Sequence, residues 1–219
     1  MSHPTPVALP LGESAVTLSW GTTVSADLNA LVHHAARIIR AAALPSVEDI
    51  VPGYAVLTVF YDPLHTAFGV MADRLLELLQ SSGGEQETGP APAEHVIPVC
   101  YDGPDLDEVA RQTGLPVAEV IARHTAREYR VYLLGFVPGF AYLGELDPAL
   151  VVPRRGSPRK RIPAGSVAIA GQQTAIYPLD TPGGWHLIGR TSAVMFDPVR
   201  EPASLLGPGD LVRFVSGPG

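Results

Sequence analysis

Two segments in the second half of the chain place glycines and prolines among aromatic residues, a composition that is unusual for a connecting loop. Glycine lets a backbone approach another surface closely and leaves N–H groups free to point at a carbonyl or an oxyanion. If the segments meet, they line one ligand pocket; the alternative is two tight barrel corners whose aromatic side chains cover the core. The residues concerned are Phe136, Pro138, Gly139, Phe140 and Tyr142 in the first segment, and Pro182, Gly183, Gly184 and Trp185 in the second.

Polar residues in a β-rich run between these segments are candidates for amide recognition. Residues 170–178 carry Gln172, Gln173, Thr174 and Tyr177. With the two-residue period of a strand, Gln172 and Thr174 would share one face, and Gln173 would lie on the other. An amide inside a barrel can donate and accept hydrogen bonds, which suits a lactam or a ureido group. The alternative is that one face of the strand meets solvent.

The charged residues and histidines offer fewer candidates. Residues 154–161 contain five cations, which favours binding of a phosphate or an acidic surface, although a solvated loop is the alternative. Arg190 follows an apolar pair and is a better candidate for pairing with a carboxylate or phosphate. His124 ends a predicted helix, so it is either a capping residue or a catalytic acid or base. Because no HExxH, paired-carboxylate, P-loop or G-x-S-x-G motif is present, a self-contained hydrolase is not expected.

The overall composition excludes several classes of protein. Hydrophobic residues form 46% of the 219 residues and charged residues 17%, which indicates a folded core and not a disordered chain. The net charge of -7 argues against a nucleic-acid-binding surface. The single cysteine, Cys100, excludes an intrachain disulfide and a cysteine zinc cluster. With no signal peptide and no apolar run near the ~20 residues of a membrane span, we expect a soluble cytoplasmic protein.

The first part of the chain alternates between strand and helix patterns. Residues 81–94 lack large apolar residues and are rich in Gly, Pro, Glu and Ser, which predicts a linker. We therefore predict a small α/β domain over residues 1–90. Its predicted elements are a strand at 14–20, a helix capped near Ser25, a strand at 54–62 and a helix over 66–80.

The second part of the chain is dominated by strands and turns. A strand at 95–102 is followed by two short helices that Gly114 separates. After residue 127 the pattern consists almost wholly of β-rich runs between prolines and glycines. We predict an α+β protein whose second domain, residues 91–219, is a mainly β, barrel-like structure.

Long motifs in this second domain carry a resemblance to a known protein family. They read EVIARHTAREYRVYLLGFVPGFAYLGELD, PRRGSPRKRIPAGSVAIAGQQTAIYPLDTPGGWHLIGRT and LLGPGDLVRF, and SAVTLSWG and VPGYAVLTVFYDP extend the similarity into the first domain. The chain resembles the allophanate hydrolase subunit 1 family, which includes 5-oxoprolinase subunits of the PxpB type and KipI-type kinase inhibitors. The resemblance implies that the second domain is a cyclophilin-like β-barrel. A shared fold does not by itself imply prolyl isomerase activity.

The resemblance also implies a function and partners. The chain would be one subunit of an ATP-dependent 5-oxoprolinase that opens 5-oxoproline to glutamate. It would act with a subunit 2 protein of the PxpC or KipA type and with a PxpA-like protein, and the isolated chain would be inactive. The alternatives are a KipI-like inhibitor that binds a sensor histidine kinase, and a subunit of an allophanate or urea amide hydrolase.

In this family the two aromatic segments would form the wall of a cleft at the subunit junction. Phe136, Phe140 and Tyr142 would then be buried by the substrate or by the second subunit, and not by their own domain alone. Tyr177 and the other residues of both segments would contact the substrate. Roles in the chemistry would be anion pairing for Arg190, amide recognition for Gln173 and Thr174, and proton handling for His124 or Tyr142.

Overall fold

The computed structural model describes residues 4–82 and 92–218. The chain divides into two compact units, Met1–Ala91 and Pro92–Gly219. Most of the predicted linker at 81–94 lies outside the described residues. In the part of the chain that the structure covers, no helix has the length and apolar character needed to traverse a bilayer.

The first unit is a four-stranded antiparallel sheet with two helices. The strand order is β1-β2-β4-β3, so the two predicted strands form the centre of the sheet. Both edge strands, β1 and β3, were missed from the sequence because each lacks a buried alternating face and ends on a proline. The elements are β1 (Val7–Pro10), β2 (Ala15–Ser19), α1 (Ala26–Ala41), β3 (Val47–Pro52), β4 (Val56–Tyr61) and α2 (Phe68–Ser81).

Helix α1 forms as its sequence predicts. The Ser25 hydroxyl accepts a hydrogen bond from the Leu28 N–H at 3.2 Å, which satisfies one of the free donors of the first turn. The apolar face of the helix packs against β3 and β4, and its buried residues share one core with Leu18 of β2 and Leu57 of β4, which are fully buried. The first unit therefore has its own hydrophobic core.

The second unit is a seven-stranded sheet that curls into a barrel-like structure. The order is β12-β9-β10-β7-β6-β13-β5, and β8 and β11 form a separate two-stranded ribbon. The predicted α+β class with a barrel-like second domain is confirmed. The elements are β5 (Glu94–Val99), α3 (Leu106–Thr113), α4 (Val117–Thr125), β6 (Glu128–Leu134), β7 (Ala141–Gly144), a 3-10 turn (Pro148–Leu150), β8 (Arg159–Ile162), β9 (Ser166–Ala170), β10 (Gln173–Ile176), β11 (Thr181–Gly183), β12 (His186–Arg190) and β13 (Leu211–Ser216).

The barrel closes where the ends of the first and last strands of the sheet meet. Cys100, just after β5, exchanges two backbone hydrogen bonds with Arg190 of β12, at 2.8 and 2.9 Å. Gly189 allows this approach, because a Cβ atom there would lie 2.6 Å from the Cys100 carbonyl oxygen. The Arg190 side chain pairs with Asp102 across the same seam. Arg190 therefore has an anionic partner within its own chain.

The strand predicted over residues 170–178 contains a hairpin turn. The chain turns back at Gly171 and Gln172, between β9 and β10, and Gly171 has a φ of 56°. Gln172 therefore sits exposed in the turn, whereas Thr174 is fully buried in β10. The prediction that these two side chains share one strand face is wrong, because the reversal of the chain at Gly171 breaks the two-residue period.

We expect Gly189→Ala to destabilise the second unit by about 1–3 kcal/mol, because its methyl group would force the closing strands apart. Unfolding in urea, followed through Trp185 in a Trp20→Phe background, measures the change, since the chain has only two tryptophans. Gly156→Ala is the matched control, because nothing lies within 4 Å of a Cβ atom there. Equal unfolding midpoints for the two variants would contradict the role assigned to Gly189.

Candidate functional site

The two glycine- and proline-containing segments lie side by side and form a cleft. The ring centroids of Phe140 and Trp185 are 5.9 Å apart in an edge-to-face arrangement. We call this space of about 240 Å³ the aromatic cleft. Its lining residues are Phe136, Phe140, Tyr142, Arg154, Pro158, Tyr177, Pro182, Gly183, Gly184 and Trp185.

The first segment connects β6 to β7 through a tight turn. The Gly135 N–H donates to the Phe140 carbonyl at 3.1 Å, and the Phe140 N–H donates to the Val137 carbonyl at 3.1 Å. Gly139 has a φ of 78°, and a Cβ atom at this position would lie 2.6 Å from Cβ of Phe196. Glycine is therefore required both by the backbone angle and by the neighbouring segment.

Phe136 occupies an unusual position in this turn. Its φ of 71° lies in the left-handed region, which is uncommon for a bulky residue. Its side chain is 59% exposed, although its ring contacts that of Phe140. A conformational cost at an exposed aromatic residue is typical of sites where another molecule completes the surface.

The second segment needs a glycine for a different reason. A Cβ atom on Gly183 would lie 2.4 Å from the Tyr177 hydroxyl and 2.8 Å from Cδ1 of Ile162. The absence of a side chain therefore leaves room for Tyr177 to reach the floor of the cleft. Gly184 has more space, since its closest neighbour, Pro158, is 3.8 Å from the equivalent position.

Phe140 is the centre of the aromatic wall. Its ring makes edge contacts with the rings of Tyr142, Tyr177 and Trp185. The distance between ring centroids is 4.8 Å to Tyr142 and 5.2 Å to Tyr177. It is only 2% exposed, so its own domain buries it. The expectation that a substrate or second subunit buries all three aromatics of the first segment is wrong for Phe140. Tyr142 is half-buried, and only Phe136 is largely exposed.

The two tyrosines of the cleft keep their protons at neutral pH. Burial raises the pKa of Tyr177 to about 12, although a hydrogen bond with the Trp185 backbone acts in the opposite direction. Burial also raises the pKa of Tyr142, and the nearby charge of Arg154 opposes this shift. Both hydroxyl groups are therefore neutral hydrogen-bond donors.

A buried carboxylate organises the basic run. Asp105 accepts hydrogen bonds from Arg155 at 2.6 Å, from Arg159 at 2.7 and 2.8 Å, and from the Leu187 N–H at 2.7 Å. Burial alone would raise the pKa of Asp105, but the hydrogen bonds from Arg159 and Leu187 and the arginine charges outweigh it and lower the pKa. Arg161 pairs separately with Asp180. Three cations of residues 154–161, which we call the arginine segment, thus bind carboxylates of their own chain.

Sequence analysis missed two residues of the cleft, Arg154 and Pro158. Arg154 appeared only as one member of a basic cluster, and nothing in the spacing separates it from its neighbours. The proline before β8 carried no functional signal. Both reach the cleft because the arginine segment runs beside Gly184, to whose carbonyl the Arg155 N–H donates, and continues into β8, which pairs with β11.

His124 lies outside the cleft, in the core of the barrel. Its Nδ1 is 2.7 Å from the Tyr101 hydroxyl, and its Nε2 is 2.9 Å from the Thr174 hydroxyl. Its ring stacks on Phe214. Burial lowers the pKa of His124 to about 3, so the ring is neutral at physiological pH. This enclosure does not support proton handling by His124 or amide recognition by Thr174 for a ligand in the cleft.

The other predicted site residues divide into two groups. Gln173 stands at the opposite end of β10 from Tyr177, and Arg190 stands at the opposite end of β12 from Trp185; neither lines the cleft. Pro138 and Gly139 shape the first turn without lining the cleft.

Within residues 4–82 and 92–218, no group of three His, Cys, Asp or Glu side chains could hold a metal ion.

This architecture is that of a two-unit α+β protein with an aromatic cleft on a barrel-like domain. Residues 6–206 match the family model of the carboxyltransferase domain, subdomain C and D. The chain is 41% identical to the 5-oxoprolinase B subunit of Bacillus subtilis and 43% identical to that of Escherichia coli O157:H7, over 94% of its length. These alignments cover 90% and 93% of the two relatives. The chain belongs to this family of carboxyltransferase C and D subdomains and 5-oxoprolinase B subunits.

Two solved structures share this fold. The crystal structure of TTHA0988 has a TM-score of 0.82 and 44% identity over 94% of this chain, and the match covers 40% of the TTHA0988 chain. The chain thus spans well under half the length of that protein. The urea amidolyase of K. lactis has a TM-score of 0.82 at 16% identity, covering 99% of this chain and 15% of that one, which shows a shared fold.

We expect acidification to weaken the second unit through His124. An unfolded histidine titrates near pH 6.5, whereas His124 in the folded chain titrates near pH 3. Between these values the unfolded state binds a proton that the folded state does not, so the free energy of unfolding falls as the pH is lowered. Urea unfolding at several pH values should show a steeper decline for the unmodified chain than for His124→Gln. Parallel curves would contradict the assignment of a neutral, buried ring.

We expect Asp105→Asn to destabilise the chain by about 2–3 kcal/mol, because it leaves two partly buried guanidinium groups without their counter-charge. Asp180→Asn is the matched control. Its pair with Arg161 is exposed, so a loss of at most about 1 kcal/mol is expected. Urea unfolding followed through Trp185 measures both variants. An equal effect of the two substitutions would show that the Asp105 cluster does not organise the fold.

Proposed function

We propose that this chain is a subunit of a 5-oxoprolinase, which hydrolyses the lactam of 5-oxo-L-proline to L-glutamate. The observation that carries the proposal is an aromatic cleft with hydroxyl donors and one guanidinium, in a chain whose relatives at 41% and 43% identity are named as B subunits of 5-oxoprolinase. Flat aromatic walls suit a small ring, and polar groups at a few positions fix its orientation.

The reaction adds water across the lactam bond. The water oxygen bonds to the carbonyl carbon, the ring C–N bond breaks, and the released nitrogen takes up a proton. In this proposal Trp185 and Phe136 cover the ring and exclude water from it. The Tyr142 hydroxyl, which keeps its proton at neutral pH, is the donor for the carbonyl oxygen or for the departing nitrogen.

The residues of the cleft do not fit ATP. A triphosphate carries several negative charges, whereas the lining provides a single guanidinium, that of Arg154. Three other cations of the arginine segment already pair with Asp105 and Asp180. We therefore propose that ATP, which would drive this lactam hydrolysis, binds to another subunit.

The proposed partners are a subunit 2 protein of the PxpC type and a PxpA-like protein. The exposed Phe136 at the rim of the cleft is the surface that we assign to the first of these. An aromatic anchor that is exposed in one chain and enters a partner is a frequent feature of protein interfaces. The proposed complex acts in the cytoplasm.

We expect the purified chain alone to be inactive and glutamate to form from 5-oxoproline and ATP only when both partner subunits are added. In the complex, Tyr142→Phe should lower kcat by about 10²-fold or more, because it removes the hydroxyl and keeps the ring. Glutamate release measures both results.

Two outcomes would contradict the proposal. The first is lactam hydrolysis by the isolated chain, which would exclude a shared site. The second is an inactive mixture together with capture of the chain by a histidine kinase dimerisation domain and not by a subunit 2 protein, which would favour the inhibitor function. Unchanged kcat in Tyr142→Phe would exclude this tyrosine as a proton donor.

A further inference from the structure

We propose that Arg154 is the anion-recognising residue of the aromatic cleft, and that the cleft selects small monocarboxylates with a compact ring. The inference deepens the proposed function, on which it rests for the choice of test ligand. The cations of the arginine segment have different environments in the folded chain.

Most cations of this segment have carboxylate partners. Arg155 and Arg159 bind the buried Asp105, and Arg161 binds the exposed Asp180. Among residues 4–82 and 92–218, no carboxylate lies within 4.0 Å of the Arg154 guanidinium. Arg154 is also the only cation of the segment among the residues that line the cleft. Lys160 also has no carboxylate partner among the described residues, but it does not line the cleft, so Arg154 supplies the positive charge that a ligand in the cleft would meet.

The main chain on both sides of Arg154 is hydrogen-bonded to the two residues that flank Trp185, once through a side chain and once through the backbone. The His186 Nε2 donates to the Pro153 carbonyl at 3.0 Å. The Arg155 N–H donates to the Gly184 carbonyl at 2.8 Å. The backbone at Arg154 is therefore fixed beside the Gly184–His186 segment by two hydrogen bonds, in addition to the Asp105 cluster that follows it in the chain, whereas the Arg154 side chain is exposed. Such preorganisation reduces the entropy lost when the guanidinium binds an anion.

The surroundings of the guanidinium favour a carboxylate on a compact ring. The charge of Arg154 acts on both Tyr142 and Tyr177, so it lies near the two hydroxyl donors of the cleft. The lining contains no acidic residue. A guanidinium binds a carboxylate through two parallel hydrogen bonds, and the aromatic rings of the cleft offer a flat surface to the carbon skeleton that carries the carboxylate. A volume of about 240 Å³ limits the ligand to a small molecule.

This assignment changes the residue that recognises the anion. The sequence favoured Arg190, but Arg190 pairs with Asp102 at the barrel seam and lies at the far end of β12. Arg154 takes this role because it lines the cleft, whereas the other three arginines of the segment pair with carboxylates of the chain.

The first test is a titration that follows Trp185 fluorescence in a Trp20→Phe background. The probes are 5-oxo-L-proline, 2-pyrrolidone, which has the same ring without the carboxylate, and cyclopentanecarboxylate, which lacks the amide. We expect the chain to bind both acids more tightly than 2-pyrrolidone. Arg154→Gln should weaken binding of the acids by about 10- to 100-fold and leave 2-pyrrolidone unchanged, as loss of one charged hydrogen-bonding partner predicts.

Arg161→Gln is the matched control, because it removes a cation from the same segment whose partner, Asp180, lies outside the cleft. It should bind all three probes as the unmodified chain does. If Arg161→Gln and Arg154→Gln weaken acid binding equally, the effect is one of general charge, and the inference is overturned.

The second test uses the complex with both partner subunits. Arg154→Gln should raise the KM for 5-oxoproline about tenfold or more, with a smaller change in kcat. Hydrolysis at an unchanged KM would overturn the inference and leave the proposed function intact. A complex that does not hydrolyse 5-oxoproline, beside Arg154-dependent binding of acids in the titration, would overturn the proposed function and support the inference. If Arg154→Gln changes neither the binding of the acids nor the KM of the complex, the inference is overturned.

Discussion

The candidate site depends on the contact between the carboxylate of Asp105 and two guanidinium groups. A carboxylate that is desolvated on folding is stable only if hydrogen bonds and opposite charges replace its hydration. Asp105 meets this requirement with Arg155, Arg159 and the Leu187 N–H, which come from the arginine segment and from β12. One residue before helix α3 therefore joins two parts of the chain that are distant in sequence. The position of the segment over the cleft, and with it the position of Arg154, follows from this attachment.

Two kinds of side chain line the cleft: aromatic rings that support one another, and residues at the edge without such support. The aromatic rings that surround Phe140 support one another through edge contacts and need no ligand to stay in place. Phe136 and Arg154 differ from these rings, because one is an exposed aromatic residue and the other is a cation without a carboxylate partner in the described part of the chain. The core of the domain holds the aromatic wall in place. At its edge Phe136 lacks an apolar neighbour that covers it, and Arg154 lacks a carboxylate. A ligand or a partner protein that supplies these groups is suited to this site.

The barrel provides a rigid support for this arrangement. Its seam joins Cys100 to Arg190 through backbone hydrogen bonds, and Gly189 permits the close approach. The same fold occurs in the K. lactis urea amidolyase at 16% identity, so the barrel tolerates wide changes of sequence. On a tolerant scaffold, binding residues are commonly carried by the segments that connect the regular elements. In this chain the two aromatic loops and the arginine segment supply the lining of the cleft.

The fold class, the helices and the central strands could be predicted from the sequence, since hydrophobic period and capping residues such as Ser25 act locally. The motifs of the sequence also identified both aromatic loops. The sequence could not show that the chain reverses at Gly171, nor that His124 is buried in the core. The pairing of the charges was visible only in the folded chain. Asp105 occupies the N-cap position of α3 but makes no capping hydrogen bond there, and it binds arginines about 50 residues away. Charge pairing depends on distances of a few ångströms between remote residues, and spacing along a chain does not contain those distances.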